Sequence, residues 1–169
     1  QVYHNMLNTS FLRKADQVFV QNALLSNDFY FHQSVFTVRA ALIIGLPHDT
    51  KLIMGAQAEN TQTDFRFVKG NAPNANNTYW RILPNLTIRK EFSKEFNLSF
   101  VFRETIRRPG MNELNPSVDF SDPFNIRFGN PYIQPSLTDN FDLNFSYSAR
   151  NFNINTSLGY NRVKNVFNS

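Results

Sequence analysis

The sequence predicts an all-β chain, an up-and-down antiparallel sheet of the transmembrane β-barrel kind, and three observations carry that reading. Apolar and polar residues alternate with period 2 through most of the chain, as they do along a strand with two different faces. The polar face is mostly Asn, Ser, Thr and Gln rather than Lys and Glu, which suits a semi-enclosed lumen. Short and long connections alternate, so one rim of the meander is trimmed and the other elaborated.

Composition agrees. The 169 residues include 18 Phe, 6 Tyr, 1 Trp and 23 Asn but only 18% Asp, Glu, Lys and Arg, against about 25% charged residues in an average soluble domain. Mean hydropathy is −0.39, so polar uncharged residues fill the gap. No run approaches the ~20 apolar residues of a membrane helix, and so many Phe argue against disorder. The net charge of +4 is scattered; its largest basic cluster, Arg107-Arg108, is too small for a nucleic-acid partner. The lack of cysteine excludes disulfide scaffolds, thiol catalysis and zinc ribbons. The chain opens at Gln1 without a signal-peptide pattern and reads as beginning within a longer protein.

The elements follow in order. A first strand is expected within residues 12–22. Apolar rows then run through Phe36-Val38-Ala40-Leu42, Leu52-Met54-Ala56-Ala58 and Trp80-Ile82-Pro84-Leu86-Ile88. The clearest strand, 95–103, sets Phe96, Leu98, Phe100 and Phe102 against Asn97, Ser99, Val101 and Arg103. Phe141, Leu143, Phe145 and Tyr147 form the next row, and Phe152, Ile154, Thr156, Leu158 and Tyr160 the last. No segment has a 3.6-residue period, so no helix is expected. Short turns are expected at 46–50, 92–94 and 149–151, and long polar connections at 68–78 and 106–140. Pro84 is the exception within a row, because proline removes a ladder hydrogen bond; a bulge or an edge position would accommodate it.

A soluble β-sandwich shares this alternation, with the Phe/Leu face as its core. The barrel is the better reading. Its rows imply strands of about nine residues, near the ~9–11 needed to cross a bilayer tilted. Aromatics also stand near both ends of the rows, as in interfacial girdles.

Few residues suggest chemistry. No G-x-S-x-G elbow occurs. His32, expected to begin a strand, and His48, in the turn at its other end, cannot share a metal, and no metal site is expected. Glu59 and Glu104 are expected late on adjacent upward strands, facing one lumen region, where paired carboxylates could bind calcium or act in acid–base work. Salt bridges to Arg103, Arg89 or Arg39 are the favoured alternative. The N-x-S/T sequons at Asn8, Asn76, Asn85, Asn97, Asn144 and Asn155 read as a by-product of composition, since several fall inside strands. Gly129-Asn130-Pro131 reads as a turn. Loop 106–140 stands out, with five of the eight prolines. A loop of that length is usually a lid, a binding loop or a folded-back segment. Arg103, Glu104, Arg107, Phe120, Asp122, Phe124 and Tyr132 are its candidate ligand-contacting or gating residues. Arg107 and Arg108 are expected to anchor its base, and Phe120, Phe124 and Tyr132 to bury against the upper lumen.

The stretch 107–143 resembles the signature of the barrel region of Bacteroidetes-type TonB-dependent receptors. Its matching residues are Arg107 or Arg108, Pro109, Leu114-Asn115-Pro116, Asp122-Pro123, Asn125, Gly129-Asn130-Pro131, Pro135 and Phe141. Gly55-Ala56-Gln57-Ala58-Glu59-Asn60-Thr61 is similar to the family's G-L-R-A-E-Y-T strand, and Leu83-Pro84-Asn85-Leu86 to its F-P-S-L. Ser136, Ile133 and Asp142 depart from the pattern.

The resemblance implies about seven strands of a larger barrel of about 22. It makes residues 1–169 a partial outer-membrane β-barrel domain, with loop 106–140 extracellular and the plug domain not present in this chain. It also implies energised import of a bulky nutrient (siderophore, oligosaccharide or peptide) across the bacterial outer membrane, with neither enzymatic activity nor a cofactor. The implied partners are outer-membrane lipid, the rest of the barrel and plug, TonB and a surface lipoprotein. Two alternatives stand beside it. One is a complete eight-stranded barrel; the other is a non-transporting structural subunit of an outer-membrane assembly, secretion or adhesion complex.

Overall fold

The computed structural model of the chain describes residues 2–9, 12–15, 18–21, 27–69, 72–118, 124 and 127–167. Among them are the strands β1 (Val2–Thr9), β2 (Leu12–Ala15), β3 (Val18–Gln21), β4 (Asn27–Leu46), β5 (Thr50–Lys69), β6 (Ala75–Glu91), β7 (Phe96–Arg107), β8 (Ser136–Ala149) and β9 (Phe152–Lys164). Seven of them form one sheet in the order β1-β4-β5-β6-β7-β8-β9, and β2 pairs with β3 in a separate hairpin. Every pairing is antiparallel. The single strand expected within 12–22 is thus two short strands outside the main sheet, and β1, which no apolar row announced, supplies an edge.

Register aligns the apolar rows. One line of paired residues crosses six strands as Leu42, Met54, Leu86, Phe102, Phe141 and Tyr160, and the next as Ile44, Leu52, Ile88, Phe100, Leu143 and Leu158. A slip of one residue in any pairing would turn that strand's row to the other face. Ring pairs across the line, such as Phe102–Phe141 with centroids 4.9 Å apart and Phe141–Tyr160 at 6.1 Å, each add about 0.5–1.5 kcal/mol beyond burial. The line on the opposite face reads Ala41, Gly55, Asn85, Arg103, Asn140 and Asn161. The apolar face has no protein cover: Phe36, Ile82 and Leu158 are 63%, 67% and 71% exposed. A sandwich core would have buried them, so this face is an uncovered belt.

The belt drifts relative to the pairing lines. On β4 it extends past Leu42 to Phe36, whereas on β9 it stops at Tyr160 and Arg162 follows. Such a drift is what strands tilted across an apolar layer require. Nine residues of belt at about 3.3 Å each span about 30 Å of strand, which tilted approaches the ~25 Å outward band of an outer-membrane barrel. Strands β4 and β5, 20 residues each, project well beyond it.

Short turns connect strands at one end of the belt. Residues 47–49 close β4 to β5, with His48 and Asp49 at φ 60° and 51°, a conformation His and Asp tolerate better than most residues. At the other end the connections are shorter than expected. Val68 and Lys69 belong to β5 and residues 75–78 to β6, so the polar connection 68–78 reduces to 70–74. Loop 106–140 reduces to 108–135, because β7 runs on to Arg107 and β8 starts at Ser136. Inside that loop Met111–Leu114 forms one helical turn, α1, where no helix was expected. Four residues are too few to show a helical period. Its start is marked by the Gly110 N–H, which donates to Glu113 Oε2 at 3.0 Å.

Pro84 sits within β6 opposite Ala56 and needs no bulge. The β6–β7 ladder stops at Asn85↔Arg103, although both strands continue. Pro84 is the first β6 residue beyond that ladder, so its missing N–H falls where the two strands part.

Candidate functional site

Beyond the belt, the apolar phase of the strands flips. Phe29 and Phe31 on β4, and Phe65 and Phe67 on β5, are odd-numbered, whereas the belt residues of both strands are even-numbered. These four rings therefore point to the inner, polar face, with neighbouring centroids 4.7–6.4 Å apart. Phe29, Phe31 and Phe65 are buried together with Ala75 and Leu114, and Phe67, Met111 and Ile133 pack against them. Leu114 and Met111 come from α1, so the long loop folds back onto the inner wall of β4–β6.

A polar network continues the same face toward the belt. Arg39 Nε donates to Gln57 Oε1, Gln57 Nε2 to Glu59 Oε1, and Arg108 Nη2 to Glu59 Oε2. Arg108 Nε also reaches Thr61 Oγ1 at 3.4 Å. Glu59 is only 5% exposed and Thr61 is fully buried. A carboxylate buried that deeply requires a paired cation, and the loop supplies it at its first residue. Further along, Arg81 Nη2 donates to Gln134 Oε1 at 2.7 Å and Asn77 Nδ2 to the Pro131 carbonyl at 3.3 Å.

The loop is also clasped to itself. The Gly129 N–H donates to the Asn115 carbonyl at 2.7 Å and the Asn130 N–H to the Glu113 carbonyl at 2.8 Å. Leu114-Asn115-Pro116 and Gly129-Asn130-Pro131, separate in sequence, are two sides of one backbone clasp. Gly129 is required there, since a Cβ at that position would lie 2.5 Å from the Glu113 carbonyl oxygen.

This architecture is a sheet with one uncovered apolar face and a loop fastened to the other. The chain matches the outer membrane protein β-barrel family over residues 2–169. It belongs to that family. No curated protein and no solved structure matches it. As a member of the outer membrane protein β-barrel family, the chain resides in the bacterial outer membrane with transmembrane strands, and its uncovered belt faces lipid.

The candidate residues fall in different places on this family barrel. Arg103 lies on the inner face, its carbonyl accepting from Asn140 Nδ2 at 3.0 Å. Arg107 stacks over the Phe167 ring, 5.0 Å from its centroid, while Arg108 fastens the loop. Phe120 and Asp122 lie outside the described residues. Phe124 is fully exposed and Tyr132 is 63% exposed, so neither buries against the lumen. Leu114, Met111 and Ile133 do so instead, because the clasp turns the aliphatic side of the loop inward.

Glu59 and Glu104 do not meet. Strand β6 lies between theirs, and Glu104 is in phase with Phe100 and Phe102 on the outer face. Glu59 pairs with Arg108, and Glu104 pairs with Lys164 at 3.4 Å. The inner aromatic cluster was not anticipated, although the parity change between Phe31 and Phe36 is visible in the sequence. The described inner face offers an amide-, hydroxyl- and guanidinium-rich wall with residues 108–118 and 127–135 of the loop fastened across its upper part.

Proposed function

We propose that this chain is part of the wall of a TonB-dependent-receptor-like barrel of the Bacteroidetes type. That barrel imports a bulky nutrient (siderophore, oligosaccharide or peptide) and catalyses no reaction. The observation that carries the proposal is the two described arms of the loop, 108–118 and 127–135, folded onto the inner wall and held by Arg108–Glu59 and by the clasp between the two Asn-Pro motifs. A folded-in loop narrows a lumen and meets whatever enters it. The motifs that form the clasp are those of the receptor signature.

Among the described residues, β1 and β9 each leave one edge unpaired in the sheet. Lipid tolerates no open sheet edge, which supports a wall continued by further strands, as in a barrel of about 22. The same reading brings in a plug, TonB and a surface lipoprotein as partners.

The test is a gene deletion grown with single sources of iron, carbon or nitrogen drawn from ferric siderophores, oligosaccharides and peptides. The proposal expects a growth defect on one of these classes, restored by the full-length gene, and uptake of that nutrient by washed cells that a protonophore abolishes. Unchanged growth on all three, with loss of a secreted or surface-assembled product, would replace it with the structural-subunit reading.

A further inference from the structure

The outer face carries a feature that solute passage does not use. At the loop-side border of the belt, above Phe102, Phe141 and Tyr160, the next outward residues on β7, β8 and β9 are Glu104, Asp139 and Arg162, with Lys164 one step beyond. Glu104 pairs with Asp139 and Asp139 with Arg162 in register. Below them a shallow concavity of about 360 Å³ is floored by Leu86, Phe100, Phe102 and Phe141 and rimmed by the four charged side chains.

The rim has a direction. The carboxylates lie at the back, with side chains 3% exposed for Asp139 and 13% for Glu104. The cations lie in front, 57% exposed for Arg162 and 40% for Lys164. Asp139 Oδ2 accepts from Arg162 Nε at 3.0 Å and from Nη2 at 2.7 Å, so one edge of the guanidinium is held while the side chain stays 57% exposed. Lys164 Nζ donates to Asp139 Oδ1 at 3.1 Å and to Glu104 Oε2 at 3.4 Å, and lies 2.9 Å from Asp139 Oδ2. The four formal charges cancel, so the rim attracts no distant ion strongly. A group that docks against it meets two pre-oriented cations first and the carboxylates only behind them. A guanidinium edge beside an ammonium suits the oxygens of a phosphate.

We propose that this groove binds a phosphate-bearing lipid of the outer leaflet, its phosphate on Arg162 and Lys164 and its acyl chain on Phe100, Phe102 and Phe141. The family places this face in lipid. The apolar floor is continuous with the lipid-facing belt, and the cations stand at the belt's edge, at headgroup depth. With the short turns periplasmic, as in outer-membrane barrels, that edge belongs to the outer leaflet. The site is independent of what the lumen carries, so it stands or falls separately from the import reading.

The experiment uses the full-length protein purified in detergent and offered lipid A or the same lipid stripped of its phosphates, with bound lipid counted by native mass spectrometry. The wild type is expected to retain lipid A in preference to the stripped form. At roughly fivefold per cation, Arg162→Gln with Lys164→Gln reduces that preference about 25-fold. Because this pair of substitutions strands two buried carboxylates, a fourfold variant adding Glu104→Gln and Asp139→Asn removes the cations without doing so. It is expected to fold, shown by heat-modifiable migration, and to lack the preference. Equal retention of both lipids by the wild type, or unchanged preference in the folded fourfold variant, would overturn the proposal. Retention of inorganic phosphate with no retention of lipid A would overturn the assignment to a lipid.

Discussion

A hydrogen on Gly129 is all that its backbone position allows. A methyl group there would meet carbonyl oxygens of Glu113 and Asn115 at 2.5 and 2.7 Å, and backbone atoms cannot rotate aside as a side chain can. Gly129→Ala is expected to open the clasp at a cost of about 1–3 kcal/mol. The measurement is limited proteolysis of the detergent-solubilised full-length protein, with new cleavage expected between 111 and 134. Wild-type resistance in this variant would mean the clasp does not hold the loop. Arg108→Gln acts differently, by leaving Glu59 buried without its cation. Its cost is expected to reach about 3 kcal/mol, and Glu59→Gln added to it should recover part of that loss. A double variant no more stable than Arg108→Gln alone in a denaturant titration would show that the pair is not coupled.

Elements were legible in the sequence to different degrees, for physical reasons. Strands β4 to β9 announce themselves because lipid on one side and a polar lumen on the other force strict alternation along each belt row. The ends of β4, β5 and β6 did not, since beyond the lipid that constraint lapses and Asn-rich stretches such as 75–78 carry no period. Turn α1 is too short to have one. The face of Glu104 was misjudged because its strand's neighbours could not be deduced from spacing alone, whereas parity with Phe102 would have placed it outward.

The elements also fix an orientation that can be checked. If turn 47–49 is periplasmic and loop 108–135 extracellular, trypsin added to intact cells should not cleave at Lys51. Nor should it cut between 111 and 134 while the loop is fastened. Cleavage at Lys51 in intact cells would invert the topology.

At the scale of the whole molecule, two faces of one sheet meet two solvents. Phe100 lies mid-belt and Ser99 on the opposite side of the same strand. In lipid, Phe100→Arg is expected to cost about 2–4 kcal/mol and Ser99→Arg far less. Equal losses in a folding titration into vesicles would mean that the face assignment is wrong.

The most direct test is a nitroxide scan of residues 97–102 in the full-length protein in membranes, with collision rates measured against oxygen, which partitions into lipid, and a nickel chelate, which stays in water. The account predicts period-2 alternation, with oxygen dominating at Leu98, Phe100 and Phe102 and nickel at Asn97, Ser99 and Val101. Labels at Leu143 and Leu158 should follow Phe100. A profile without alternation, or one with its phase reversed, would contradict the account.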